Sequence, residues 1–78
     1  MEEYKIRLMV EFKQLCSKVD KLREFINSDK YKMLDPTIAV LMKNQLFFME
    51  GYRTCLYDRI NLTISIKEMK EFDQIGEE

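Results

Sequence analysis

Few side chains in this sequence have chemistry to offer. Gln45, Tyr52 and Arg59 repeat at seven-residue steps, and Tyr4, Arg7 and Glu11 recur three and four apart nearer the start. Arginine holds anions through a planar fork, tyrosine offers a ring face and a hydroxyl, and carboxylates and amides accept hydrogen bonds. Such groups hold a ligand rather than transform it. Hydrolytic and transfer chemistry needs a base titrating near neutrality, an activated nucleophile or a metal, and the chain has no histidine and no glycine-rich phosphate loop. The carboxylates of Glu2 and Glu3, and of Asp20 and Glu24, fall on polar faces, where local pairing with Arg7, Lys21 or Arg23 accounts for them. The expectation is a non-enzymatic binding protein with no metal and no cofactor.

The 13 basic and 14 acidic residues nearly cancel and are interspersed, which argues against bulk electrostatic binding to a nucleic-acid polymer. No apolar run approaches the roughly 20 residues that span a bilayer, and no secretory signal opens the chain, so a soluble, cytoplasmic protein is expected. At 78 residues the chain is one domain at most, 1–78, and its core is marginal for a monomer. With no zinc site in prospect and only Cys16 and Cys55 for a disulfide, self-association is the expected remedy.

One proline and two glycines among many Leu, Met, Lys, Glu and Arg favour long helices, so the fold class read is all-α. Over about 2–27, Leu8, Phe12, Leu15, Val19, Leu22 and Ile26 recur at steps of four and three, the seam of an amphipathic helix. The segment 28–35 loses that period and reads as a loop, its underside covered by Tyr31, Met33 and Leu34. Asp35-Pro36 then offers an N-cap followed by the position proline prefers. A second helix over about 36–61 carries Ile38, Leu41, Gln45, Phe48, Tyr52, Cys55 and Arg59 at the same spacing, with Met42, Met49 and Leu56 beside them. Gly51 inside it costs up to about 1 kcal/mol relative to Ala, and close helix packing or the approach of a ligand or partner backbone would explain it. The tail 62–78 has two readings: a short helix from Ile66 to Gln74, favoured by the capping-box spacing of Ser65 and Glu68, or a strand suggested by Leu62, Ile64 and Ile66. Gly76-Glu77-Glu78 should fray.

Two helices of similar length joined by a short loop fold back antiparallel. Matching the two seams sets Ile26 against Ile38, Val19 against Gln45 and Phe12 against Tyr52, and brings Tyr4 and Lys5 near Arg59. The polar row then either fixes the register, as single polar residues do in coiled coils, or lines a pocket at the open end built from Tyr4, Arg7, Glu11, Tyr52 and Arg59. In that register the cysteines are too far apart to bridge and should be buried. Ile6, Met9, Val10 and Cys16 on the first helix, and Val40, Leu46, Phe47 and Tyr57 on the second, are left over by the hairpin. Ile6, Met9, Val10, Phe47 and Tyr57 are therefore the expected oligomer interface of a dimer or higher helical bundle. The same surface would equally suit docking onto a host or phage protein.

The run from Glu11-Phe12-Lys13-Gln14-Leu15 through Lys18, Lys21-Leu22, Phe25-Ile26, Leu34, Leu41, Gln45, Met49, Tyr52, Leu56 and Arg59-Ile60 resembles the short helical-hairpin proteins of crAss-like and other bacteriophages. In architecture it is similar to the phage sponges that oppose CBASS and Thoeris immunity, although the ligand motif of the anti-CBASS hairpins is not present. The resemblance covers about 50 residues, through both helices, and stops at Leu62. It implies a counter-defence protein of the infected bacterial cytoplasm that buries a cyclic nucleotide signal between protomers. The base would stack on Tyr4 or Tyr52, and the phosphates would meet Arg7, Arg59 or a nearby lysine.

Overall fold

A computed structural model describes residues 1–76 and contains three α-helices: α1 (Glu3–Ile26), α2 (Pro36–Thr63) and α3 (Ile66–Gly76). A single 3-10 turn, Tyr31–Met33, interrupts the loop between α1 and α2. No strand occurs among the described residues, so the strand reading of the tail is corrected in favour of the helical one. Of the residues expected to fray, Gly76 is the last residue of α3, and Glu77 and Glu78 lie outside the described residues.

The helix ends follow local chemistry. Asp35 caps α2 by accepting the amide of Thr37 at 2.8 Å, and Pro36 takes the first turn, where a missing N–H costs nothing. Ser65 and Glu68 form a reciprocal capping box at the start of α3: the Glu68 amide donates to Ser65 Oγ and the Ser65 amide to Glu68 Oε1, both at 3.1 Å. In the loop, Tyr31 donates its hydroxyl to the Ala39 carbonyl at 2.7 Å and meets Phe25 edge-on. Leu34 is half-buried beside it, whereas Met33 is 86% exposed and does not cover the loop as expected.

α1 and α2 pack as the expected antiparallel hairpin, but in a different register and through a different stripe of α2. Phe12 meets Tyr57, five positions beyond Tyr52. The inward stripe of α2 runs through Met42, Leu46, Met49, Arg53, Leu56 and Ile60, while Ile38, Leu41, Gln45, Phe48, Tyr52, Cys55 and Arg59 lie exposed. The physical reason is that α2 carries two candidate stripes. The inward one holds a single polar residue, the other holds Gln45, Tyr52 and Arg59, and burying those without partners costs several kcal/mol. Cys55 is accordingly exposed, correcting its expected burial, and Cys16 is half-buried.

α3 runs parallel to α1 and closes the core. Lys5 donates to Glu68 (3.0 Å to Oε2), Lys13 donates to Asp73 at 3.0 Å, and the Lys13 ammonium sits 5.0 Å from the centroid of the Phe72 ring. Lys5, Met9 and Lys13 are spaced four apart on one face of α1, so α3 lies over Met9. Leu8, Met9, Leu15, Val19, Leu56, Ile60, Ile64 and Phe72 make one buried cluster, with Ile6 packed against it. The expectation that Met9 and Ile6 are surplus to the fold is corrected here: Met9 is buried in the cluster that Phe72 of α3 joins, and Ile6 packs against it.

The Lys5–Glu68 pair is the most sheltered ion pair, its side chains 14% and 24% exposed. Its two groups shift in opposite directions. The hydrogen bond from Lys5 to the carboxylate raises the lysine above its usual range. The Ser65 amide, and then Lys5 itself, hold Glu68 below the usual carboxylate range.

Candidate ligand-binding cleft

Where α1 and α2 face each other near mid-length, Phe12 and Cys16 of α1 and Arg53, Thr54 and Tyr57 of α2 line a cleft of about 270 Å³. The helical period puts Arg53 and Tyr57 one turn apart on α2, and Phe12 and Cys16 one turn apart on α1, so the cleft is a rectangle of four side chains. The Phe12 and Tyr57 rings lie with centroids 6.1 Å apart and planes inclined by 40°. Such an open angle leaves ring face available to a third planar group.

The electrostatics of the cleft depend on who claims Glu50. That carboxylate, one turn before Arg53, is taken by Arg23 of α1 at 3.0 Å, and Arg23 also lies 3.7 Å from Asp20. Arg53 is half-buried and makes no ion pair among the described residues. The result is a guanidinium with its charge uncompensated, held beside two aromatic rings. Thr54 is occupied within its own helix, donating its hydroxyl to the Glu50 carbonyl at 3.1 Å. Guanidinium, ring faces and a phenol can grip an anionic or planar group, and no base or nucleophile pair stands near to act on it. A second depression at the loop end, lined by Lys21, Glu24, Phe25, Ser28, Asp29 and Lys30, mixes both charge signs and supplies no comparable unpaired arginine beside ring faces.

The residues singled out from the sequence fall in two places. Tyr4, Arg7 and Glu11 form an exposed row on α1, where Arg7 is held by Glu3. Tyr52 and Arg59 lie exposed on the outward face of α2. No hydrogen bond, ion pair or ring contact joins the two sets within the chain among the described residues. Of the apolar set, Met9 and Ile6 serve the core, Val10 and Phe47 are exposed, and Tyr57 lines the cleft. Arg53 was missed by the sequence reading. Its signal was available: it is the lone charge on the stripe formed by Leu46, Met49, Leu56 and Ile60, four residues before Tyr57.

Fold and cleft together define a small all-α protein whose functional groups suit holding a ligand. The chain belongs to the Sequestin family, whose model matches residues 2–62. The match takes in α1, the loop and α2 almost to its end, and leaves α3 outside. The family name is that of a sequestering protein, in keeping with binding rather than turnover. No curated protein and no solved structure matches the chain. Among the described residues, no helix is long and apolar enough to cross a membrane.

Proposed function

We propose that this protein is a phage counter-defence protein that sequesters a cyclic nucleotide immune signal in an infected bacterium, holding it between protomers. The observation that carries the reading is Arg53, which makes no ion pair among the described residues and lines, half-buried, the same cleft as Phe12 and Tyr57, in a chain of the Sequestin family. A base would stack against the two rings while a phosphate oxygen accepts from the guanidinium. At about 270 Å³ the cleft is at the small end of sites that enclose a small molecule, which suits a ligand shared with a second protomer. Tyr4, Arg7 and Glu11 on α1, and the Arg59 guanidinium on α2, are the exposed groups from which a neighbouring protomer would complete the site.

The test is calorimetry of the purified protein against cyclic dinucleotides, cyclic trinucleotides and cyclic ADP-ribose isomers. Tight binding of one class, with less than one ligand per chain, supports the reading. Absence of binding across the panel overturns it.

A further inference from the structure

Most of the large apolar side chains left exposed lie on α2, where Phe47 and Phe48 are each 71% exposed and Leu62 is 90% exposed. Ile38, Leu41, Phe48, Tyr52 and Leu62 form a stripe that, with Gln45, Cys55 and Arg59 between them, keeps the alternating three- and four-residue step of a helix-pairing seam. Leu56 and Ile60, on the neighbouring stripe of α2, meet the core, whereas Ile38, Leu41, Phe48, Tyr52 and Leu62 stay exposed within the protomer.

Three observations say what covers it. The first is the order of the stripe, which is complementary to its own reverse. Laid antiparallel on a second α2 about a two-fold axis level with residue 50, Phe48 falls opposite Tyr52 of the second copy and Ile38 opposite Leu62. Gln45 falls opposite Cys55, and Leu41 opposite the aliphatic stem of Arg59, whose charge can reach the rim. Every member of the seam has a counterpart, as a two-fold interface requires, and the polar ends of Gln45, Tyr52 and Arg59 reach its rim, where water satisfies them.

The second is Gly51, one residue from that axis. It sits in the middle of a 28-residue helix, where glycine costs about 1 kcal/mol relative to Ala, yet a Cβ built on it meets no atom within 4 Å. Packing inside the protomer therefore gives no reason for a glycine here. A second helix at this point does, because Gly51 flanks the seam on the Phe48 side and its missing Cβ leaves room for the side chains of the second copy.

The third is area. The chain exposes 6070 Å², about 1000 Å² more than the roughly 5050 Å² usual for a folded monomer of its 9.5 kDa mass. A standard interface buries about 800 Å² per partner, so the surplus matches one such interface.

From these we infer that two copies pair through α2, antiparallel, with the axis beside Gly51. The pairing does not rest on a nucleotide. It places the two Arg53 clefts on one dimer, and the Tyr52 side chains in its central ring cluster.

The pairing is tested on the ligand-free protein, so its failure and a failure of nucleotide capture register separately. Light scattering at tens of micromolar should give twice the 9.5 kDa chain mass or an even multiple. Phe48→Glu should weaken the α2 contact at least about a hundredfold, returning the chain mass or halving a larger assembly, with circular dichroism unchanged because Phe48 is exposed in the protomer. Gly51→Leu should also weaken it, although in an isolated helix the same change strengthens α2. In a chain with Cys16 and Cys55 replaced by Ser, Gly51→Cys should be captured as a covalent dimer by a short bis-maleimide. A monomeric wild-type chain, an assembly indifferent to both Phe48→Glu and Gly51→Leu, or no covalent dimer from Gly51→Cys overturns the pairing. So does a monomer that uses Phe48 to bind a different protein.

Discussion

Arg23 of α1 holds Glu50 of α2 at 3.0 Å, and that one ion pair across the hairpin leaves Arg53, a turn further on, without a carboxylate. Had Glu50 been free, it would have neutralised the guanidinium at the mouth of the Phe12–Tyr57 cleft. The charge available to a ligand is thus set by a contact one turn back along α2, on the same α1-facing side.

Replacing Arg53 should therefore act on binding and hardly on folding. Charge-assisted hydrogen bonds are worth about 1.5–3 kcal/mol, so Arg53→Ala should lower affinity for an anionic ligand by about one to two orders of magnitude. Calorimetry with whichever cyclic nucleotide binds the wild type provides the reading. Arg53→Lys should recover only part of the loss, since an ammonium lacks the planar fork and the stacking surface. An affinity unchanged in Arg53→Ala would move the ligand away from this cleft, towards Tyr52 and Arg59.

Arg23→Ala should weaken the same binding indirectly, by releasing Glu50 to pair with Arg53. The double variant Arg23→Ala with Glu50→Gln removes the competing carboxylate and should restore it. Recovery in the double variant distinguishes competition for Arg53 from damage to the hairpin, which the second substitution would not repair.

The core and the exposed face of α2 should respond in opposite ways to truncation. Leu56 is 1% exposed at the centre of the buried cluster, and Leu56→Ala should cost about 2–5 kcal/mol, read as a loss of denaturation midpoint. Phe47→Ala removes a larger side chain but one that touches little within the protomer besides the ring of Phe48. Its effect at concentrations low enough to keep the chain monomeric should stay within about 0.5 kcal/mol.

Much of this architecture was legible beforehand, for identifiable reasons. Asp35-Pro36 and Ser65 with Glu68 are short-range signals satisfied by backbone amides two and three residues away, so no tertiary information was needed to read them. The apolar period of α1 has one interpretation, and its residues are the ones that pack. α2 was different, because Ile38 to Arg59 and Met42 to Ile60 are both periodic and only the cost of burying Gln45, Tyr52 and Arg59 separates them. Choosing the wrong stripe also shifted the register, which is why Phe12 was set against Tyr52 and the cleft residues Arg53 and Thr54 went unnoticed. α3 was expected as a short helix but without a place to dock, so Met9 and Ile6 seemed to lack the core that Phe72 of α3 helps to complete.

The Lys5–Glu68 pair makes the docking of α3 dependent on pH at both extremes. Glu68 is held below the ordinary carboxylate value of 4.5, so the stability it contributes is present above that value and is lost as pH falls through its lowered folded value. Lys5 is held above the ordinary 10.5, so its contribution is complete below that value and is lost as pH rises through its raised folded value. Protection of the α3 amides, their exchange relative to the intrinsic rate at each pH, should therefore fall as the pH drops below 4.5, while the α1 amides facing α2 stay protected. Glu68→Gln should flatten the acid limb, and it should also weaken the start of α3, since a neutral carboxamide at that position reproduces only part of the capping box.

Phe72 tests whether α3 is a separable latch on the hairpin that the family match covers. It is 4% exposed, buried with Met9 and Ile60 in one cluster, and roofed by the Lys13 ammonium. Phe72→Ala should cost about 3–5 kcal/mol of α3 docking. An 11-residue helix is marginal in water without tertiary contacts, so α3 should melt rather than swing free as a rod. Circular dichroism should then lose about the share of helix that α3 contributes. Methyl spectra should show Met9 gaining solvent while Val19, on the α2 side of α1, keeps its native shift. If Val19 and Leu56 lose their native shifts together with Met9, the hairpin does not hold without α3, and the three helices fold as one cooperative unit.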